Sequence, residues 1–144
     1  MKDEITITIE VPAEMMLLRP LNHFVRHIVR QVPALARDDE LVNNLELAFD
    51  EAFTNIHRHA YRCNERGLVN IQIRIDSSKL EFRFEDRGEC FDPLTVPDPD
   101  LSEPREGGLG VWLMRQVMDE FIYYSQADGK NVLRLIKRLP VCEK

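Results

Sequence analysis

Within "DEAFTNIHRHAY", residues 50–61, an acid, an amide and an imidazole stand four residues apart each time, at Glu51, Asn55 and His59. On a helix turning about 100° per residue, successive members of such a series are displaced by about 40°, so they form a slowly drifting line. Glu51 and Asn55 fall at the border of the apolar stripe, where packing can hold a polar group that still reaches a ligand. His59 continues the line toward the buried side. A solvated acid, a surface amide and a packed histidine would show the same spacing, so this stretch alone leaves both readings open.

Two other segments carry residue types that suit a nucleotide. "EDRGECFDP" sets Asp86 at a strand end and Gly88 in the exit turn. There an aspartate can accept a hydrogen bond from an exocyclic amine, and a glycine lets a flat base approach the backbone. An ordinary turn uses the same residues. "REGGLGVWLM" gathers Gly107, Gly108 and Gly110 at a helix start, where free N–H groups and the helix dipole favour phosphate, although a flexible turn would also use glycine. No Gly-Lys-Ser/Thr follows, which excludes a P-loop. Metal-site readings are poorer: His57 and His59 point to nearly opposite sides of a helix, and His23 with His27 has ligand-pair spacing without a third ligand. There is no nucleophile elbow and no Cys-His pair with a local signature.

The elements that must position these residues follow from hydrophobic period. Ile5, Ile7 and Ile9 alternate with threonines as in a strand with one buried face. Leu21, Phe24, Val25, Ile28, Val29 and Val32 recur at helical spacing, opposite a basic face of His23, Arg26, His27 and Arg30. A second helix is expected from about Asp39 to Tyr61, capped by Asp38 or Asp39, with Leu41, Leu45, Ala48, Phe49, Ala52 and Ile56 as its apolar stripe. Val69 to Ile75 and Leu80 to Phe84 read as a hairpin turned at Asp76 to Lys79. From Gly88 to Gly110 lie four of the six glycines and four of the eight prolines, so this is a loop and, given its length, a lid over a site. A helix from Leu109 and a closing hairpin turned at Asp128-Gly129 complete the chain. Hairpins in place of regular βαβ crossovers predict an α/β two-layer sandwich: a mixed, largely antiparallel sheet with helices on one face.

Composition bounds the rest. At 144 residues, 44% hydrophobic and 31% charged, the chain suits one domain over 1–144. Its 19 Lys and Arg against 25 Asp and Glu give a net charge of −6 and no general attraction to nucleic acid or an anionic membrane. No apolar run reaches membrane-span length, and "MKDEITITIE" alternates like a strand and lacks a signal peptide's apolar core, so the expected location is cytoplasmic. Cys63, Cys90 and Cys142 are odd in number and form no Cys-x-x-Cys pair, which fits reduced thiols.

Together, "ELAFDEAFTNIHRHAY", "FEDRGECFDP" and "GGLGVWLMRQVMDEF" resemble, in that order, the N, G1 and G2 boxes of the GHKL (histidine kinase-like) ATPases. Among these they look most like the small bacterial anti-sigma-factor serine/threonine kinases of partner-switching systems. The resemblance runs from Leu45 to Lys137. It implies the Bergerat fold, ATP and Mg²⁺, with Asn55 binding the metal and Glu51 acting as general base toward a protein hydroxyl. It further implies Asp86 beside Gly88 at the adenine amine, Gly108, Leu109 and Gly110 at the phosphates, and Arg105 as a phosphate neighbour in the lid. Asn131 stands, after Lys130, where the family usually has Gly-Thr and uses the threonine in reading adenine; an amide can donate and accept as well. Cys90 stands where a glycine is usual.

The implied partners are an anti-anti-sigma factor as substrate and a sigma factor, or another protein regulator, as competing ligand. Arg19 matches a family position used in partner contact. A homodimer is implied too. A second domain with a phosphoacceptor histidine is not expected, which suits a kinase acting on a separate protein. Two alternatives stand beside this: a nucleotide-gated module that sequesters a regulator without phosphoryl transfer, and a degenerate module that binds no nucleotide.

Overall fold

The computed structural model describes residues 4–62, 67–92, 97–102 and 109–140. Strand β1 (Ile5–Pro12) is followed by a short 3₁₀ turn and helix α1 (Leu18–Arg30). Pro20 lies in the first turn of α1, where a missing N–H leaves no helix bond unmade. Helix α2 (Asp39–Asn55) is capped by Asp38, whose carboxylate accepts from Leu41 N at 3.0 Å, with Asp39 and Glu40 at the positive end of the dipole. A π-helical turn, Ile56–Ala60, extends it. Then come β2 (Leu68–Ile75), β3 (Lys79–Asp86), α3 (Gly110–Val117), β4 (Glu120–Ser125) and β5 (Asn131–Arg138).

The strands form one five-stranded sheet in the order β1-β2-β3-β5-β4, every neighbouring pair antiparallel. The expected largely antiparallel sheet is therefore wholly so. Its inner face presents Ile71, Ile73, Leu80, Phe82, Phe84, Leu133 and Leu135, all buried, against the helical layer. Phe49 of α2 anchors that contact, with its ring 5.5 Å from Phe82 and 5.2 Å from Phe84. Helices α1 and α3 both pack on α2, which therefore lies central in its layer. On the other face Glu81 is buried as well, paired with Arg134 through Nε at 3.1 Å.

Two helix stripes differ from expectation. Phe24 is exposed, and α1, which packs on α2, buries Leu21, Val25 and Val29, a narrower stripe than expected. In α2 the stripe is wider: Val42 and Phe53 are buried, and Leu41 is only partly so. The hairpin turns lie as expected, with Asp76 Oδ1 accepting from Ser78 N and Lys79 N, and with Gly129 at φ 88° in the second turn. Among the described residues no helix is long and apolar enough to cross a membrane.

Candidate functional site

Strand register brings the end of β3 beside the start of β5 and the end of β4. Asp86 pairs with Asn131, and Asn131 pairs with Ser125. Three polar side chains thus line up across three strands at one end of the sheet. Asn131 Nδ2 donates to Asp86 Oδ1 at 2.9 Å and to the Gly88 carbonyl at 3.0 Å, while its own Oδ1 accepts from Ser125 Oγ at 2.7 Å. Gly88 N also donates to Asp86 Oδ1, at 3.0 Å. All of this consumes Oδ1, and Asp86 Oδ2 takes no hydrogen bond among the described residues. It is an oriented acceptor. Burial pushes the Asp86 carboxyl above its ordinary pKa, partly offset by the bonds from Asn131 and Gly88.

Gly88 is required by close approach, since a β-carbon there would overlap the Ala60 carbonyl. That carbonyl accepts from Glu89 N at 2.7 Å. Tyr61 N bonds back to Ile56 O at 3.1 Å, the wide spacing of a π turn, so residues 56–60 do not continue the α-helix expected to reach Tyr61. The widened turn seats the exit of β3 on the end of the helix. Arg62, in the left-handed region at φ 49°, ends this segment and pairs with Glu89 at 2.8 Å.

Asn55 and Asp86 line one cleft between α2 and the sheet, together with Ala52, Ala60, Phe91 and Tyr123. Asn55 Nδ2 is buried with no partner among the described residues, so one end of this amide is uncommitted. Since the two ends of a carboxamide are interchangeable by a flip, the free end can present an oxygen. One turn earlier, Glu51 lies against Gly110 at the start of α3, so closely that a β-carbon at 110 would overlap the carboxylate. Desolvation and then the charge of Asp50 raise the Glu51 pKa, with Arg58 opposing them. A carboxylate shifted toward neutrality is a better proton acceptor at physiological pH.

The structure therefore brings Glu51, Asn55, Asp86, Gly88, Gly110 and Asn131 to one side of the helical layer and one end of the sheet. Leu109 precedes α3 as its N-cap residue. Arg105, Gly107 and Gly108 lie outside the described residues. His59 packs as a ring, stacked on Phe91 at 4.2 Å. Phe91, Tyr123 and Ser125 belong to the site although no periodic signal marks them as site residues; Tyr123 OH accepts from Phe91 N at 3.2 Å and donates to Cys90 Sγ at 3.5 Å. A larger depression of about 290 Å³ opens at the same sheet end, lined by Glu10, Tyr61, Asn70, Glu85, Arg87 and Lys130 as well as Asp86. Its Lys130 and Arg87 already face Glu85 at 3.5 Å and Asp128 at 3.8 Å, and the described helix residues of the site do not line it.

Residues 11–137 match the family model described as the histidine kinase-like ATPase domain. The chain belongs to that family. Among curated proteins, the ATPase domain is 36% identical over 89 residues to the serine-protein kinase RsbW of Oceanobacillus iheyensis, covering 56% of each chain. It is 33% identical over 95 residues to the protein of the same name from Staphylococcus aureus, covering 60% of each. The matches thus span little more than half the length of these relatives. Among solved structures, a chain of the SiaB-SiaC complex from Pseudomonas aeruginosa superposes with a TM-score of 0.69 at 14% identity, covering 90% of this chain and 88% of the other. That likeness is one of fold.

Proposed function

We propose that this chain is an ATP-dependent serine/threonine protein kinase of the partner-switching type, which binds a sigma factor and phosphorylates an anti-anti-sigma factor. The observation that carries the reading is that Asn55 and Asp86 line one cleft while Glu51 sits beside the start of α3. A base acceptor, an amide for a cation, a proton acceptor and a helix N-terminus are the parts a nucleotide-dependent transfer needs. Membership in the histidine kinase-like ATPase family and the names of the relatives support it.

In this mechanism Asp86 Oδ2 accepts from the exocyclic amine of adenine, and the glycine turn at Gly88 gives the ring room. Asn131 orients Asp86. The backbone of Leu109 and Gly110 at the start of α3 meets the phosphates, and the resemblance assigns Gly108 and Arg105 to the same phosphates. Mg²⁺ fits the uncommitted amide of Asn55, and among the described residues no cluster of three or more His, Cys, Asp or Glu side chains could hold a metal. A magnesium ion that keeps its water and phosphate ligands needs only one or two protein oxygens. When bound, it supplies charge neutralisation for the triphosphate. Glu51 takes the proton as the serine or threonine oxygen bonds to the γ-phosphorus and the bond to the leaving ADP oxygen breaks.

The test is incubation of the chain with γ-labelled ATP, Mg²⁺ and candidate anti-anti-sigma proteins. Label on a serine or threonine of one of them is expected. ATP binding without transfer to any partner would leave a nucleotide-gated binding module instead.

A further inference from the structure

The cleft that Asn55 and Asp86 line is almost filled. Its free volume is about 20 Å³, room for about one water, whereas pockets for drug-sized ligands run to roughly 300–1,000 Å³. An adenine ring cannot enter without displacing a wall. Ala52, Ile56, Ala60 and Leu133 are core residues and cannot withdraw. Asn55, Phe91 and Tyr123 are the half-buried members of the lining and Glu89 is exposed; of the two aromatic ones, Tyr123 is held by its bond from Phe91 N, and the Phe91 ring lies on His59 with the planes 17° from parallel.

The backbone around Phe91 is tied down. Gly88 O accepts from Asn131, Glu89 N donates to Ala60 O at 2.7 Å, and Phe91 N donates to Tyr123 OH at 3.2 Å. Cys90 Sγ lies 3.4 Å from Ser125 Oγ. Rotation of the Phe91 ring about its side-chain bonds leaves every one of these bonds intact and breaks the stack on His59. The π turn carries His59, whose ring faces that of Phe91. Burial lowers the His59 pKa, with Arg58 adding to the effect, which favours the neutral imidazole.

We propose that Phe91 is the movable wall of the base cavity and that His59 is the positioning residue that holds this wall shut in the nucleotide-free chain. The inference rests on the reading of the cleft as a nucleotide site. A ligand that needs the open state binds with an apparent affinity reduced by the fraction of chains open. Stacked aromatic pairs shift such an equilibrium by about threefold to tenfold. The stack therefore slows and weakens nucleotide binding, and it makes entry of the base the step that frees Phe91.

The test measures ATP affinity by calorimetry and association rate with a fluorescent ATP analogue, in the full chain, with thermal melting to confirm folding. His59→Leu keeps bulk and loses the flat ring, and about threefold to tenfold tighter and faster binding is expected. His59→Phe, which keeps an aromatic stack and so stays folded, should bind no faster than wild type. In a Phe91→Ala background His59→Leu should change nothing, because the wall is gone. Equal or weaker binding by His59→Leu, or an effect that persists without Phe91, would overturn the inference while leaving the nucleotide site standing. A wild-type chain that binds no ATP would remove both.

Discussion

The amide of Asn131 on β5 holds the end of β3 and its exit turn at once, donating to Asp86 Oδ1 at 2.9 Å and to the Gly88 carbonyl at 3.0 Å. Ser125 Oγ donates to its oxygen at 2.7 Å. Both donor directions of the amide are spent inside the protein, so Asn131 orients Asp86, the proposed base acceptor. Asn131→Ala strands a buried carbonyl and removes one of two bonds to Asp86. A loss of about 1–3 kcal/mol in stability is expected, with ATP affinity falling about tenfold. Denaturant unfolding and calorimetry check the two, and Asn131→Thr, which restores one donor, should recover part of each. Unchanged affinity in Asn131→Ala would show that Asp86 needs no orientation.

Asp86→Asn separates stability from binding. The amide oxygen still accepts from Gly88 N and Asn131 Nδ2, but the free carboxylate oxygen becomes a donor facing the donor amine of adenine. ATP binding should weaken by about tenfold to a hundredfold, the worth of a hydrogen bond to a charged group. The pH dependence has a definite sign. Burial raises the folded pKa of Asp86 above its ordinary value of 3.8. The contribution of such a group to stability is fully present below its unfolded pKa and is lost as pH rises through the folded pKa. At neutral pH the Asn variant should therefore melt above wild type, and the gap should shrink as pH falls toward 3.8. A gap that widens on acidification would mean that Asp86 is stabilised as the anion.

Gly88→Ala and Gly110→Ala should fail differently. At 88 the added carbon meets the Ala60 backbone, which cannot move aside, and such overpacking costs about 1–3 kcal/mol. At 110 it meets the end of the Glu51 side chain, which can swing away, and alanine favours a helix over glycine by about 1 kcal/mol. Gly110→Ala should thus melt near wild type yet transfer phosphate about a hundredfold more slowly, because the carboxylate is misplaced. Normal transfer by Gly110→Ala would place the working position of Glu51 away from α3.

These relationships divide into those the sequence carries and those only the fold supplies. Glu51 and Asn55 were legible because helical period puts them at a stripe border, and Asp86 with Gly88 because a strand pattern ends there. The sheet was legible from alternation at Ile5 to Ile9, Val69 to Ile75 and Leu80 to Phe84, and from the turn at Asp128-Gly129. The work of Asn131 was not, since it follows from register among β3, β5 and β4. The π turn could not be read either: its Ala60 carbonyl is held by Glu89 N, from beyond the hairpin. Phe91 and Tyr123 sit in segments without usable period, and they meet only when β4 closes the sheet. Arg105 rests on the resemblance alone, Gly107 on the glycine cluster and Gly108 on both, and all three lie outside the described residues.

The proposed chemistry is tested most directly by Glu51→Gln in the labelling reaction, with ATP occupancy measured in parallel. Glutamine keeps the shape and packing of Glu51 beside Gly110 but cannot take a proton, and a positioned general base contributes about 10²–10⁴ in rate. Near wild-type ATP binding with label transfer reduced at least about a hundredfold is the expected result. Equal transfer by Glu51→Gln and wild type at equal ATP occupancy would contradict the assignment of Glu51 as the base.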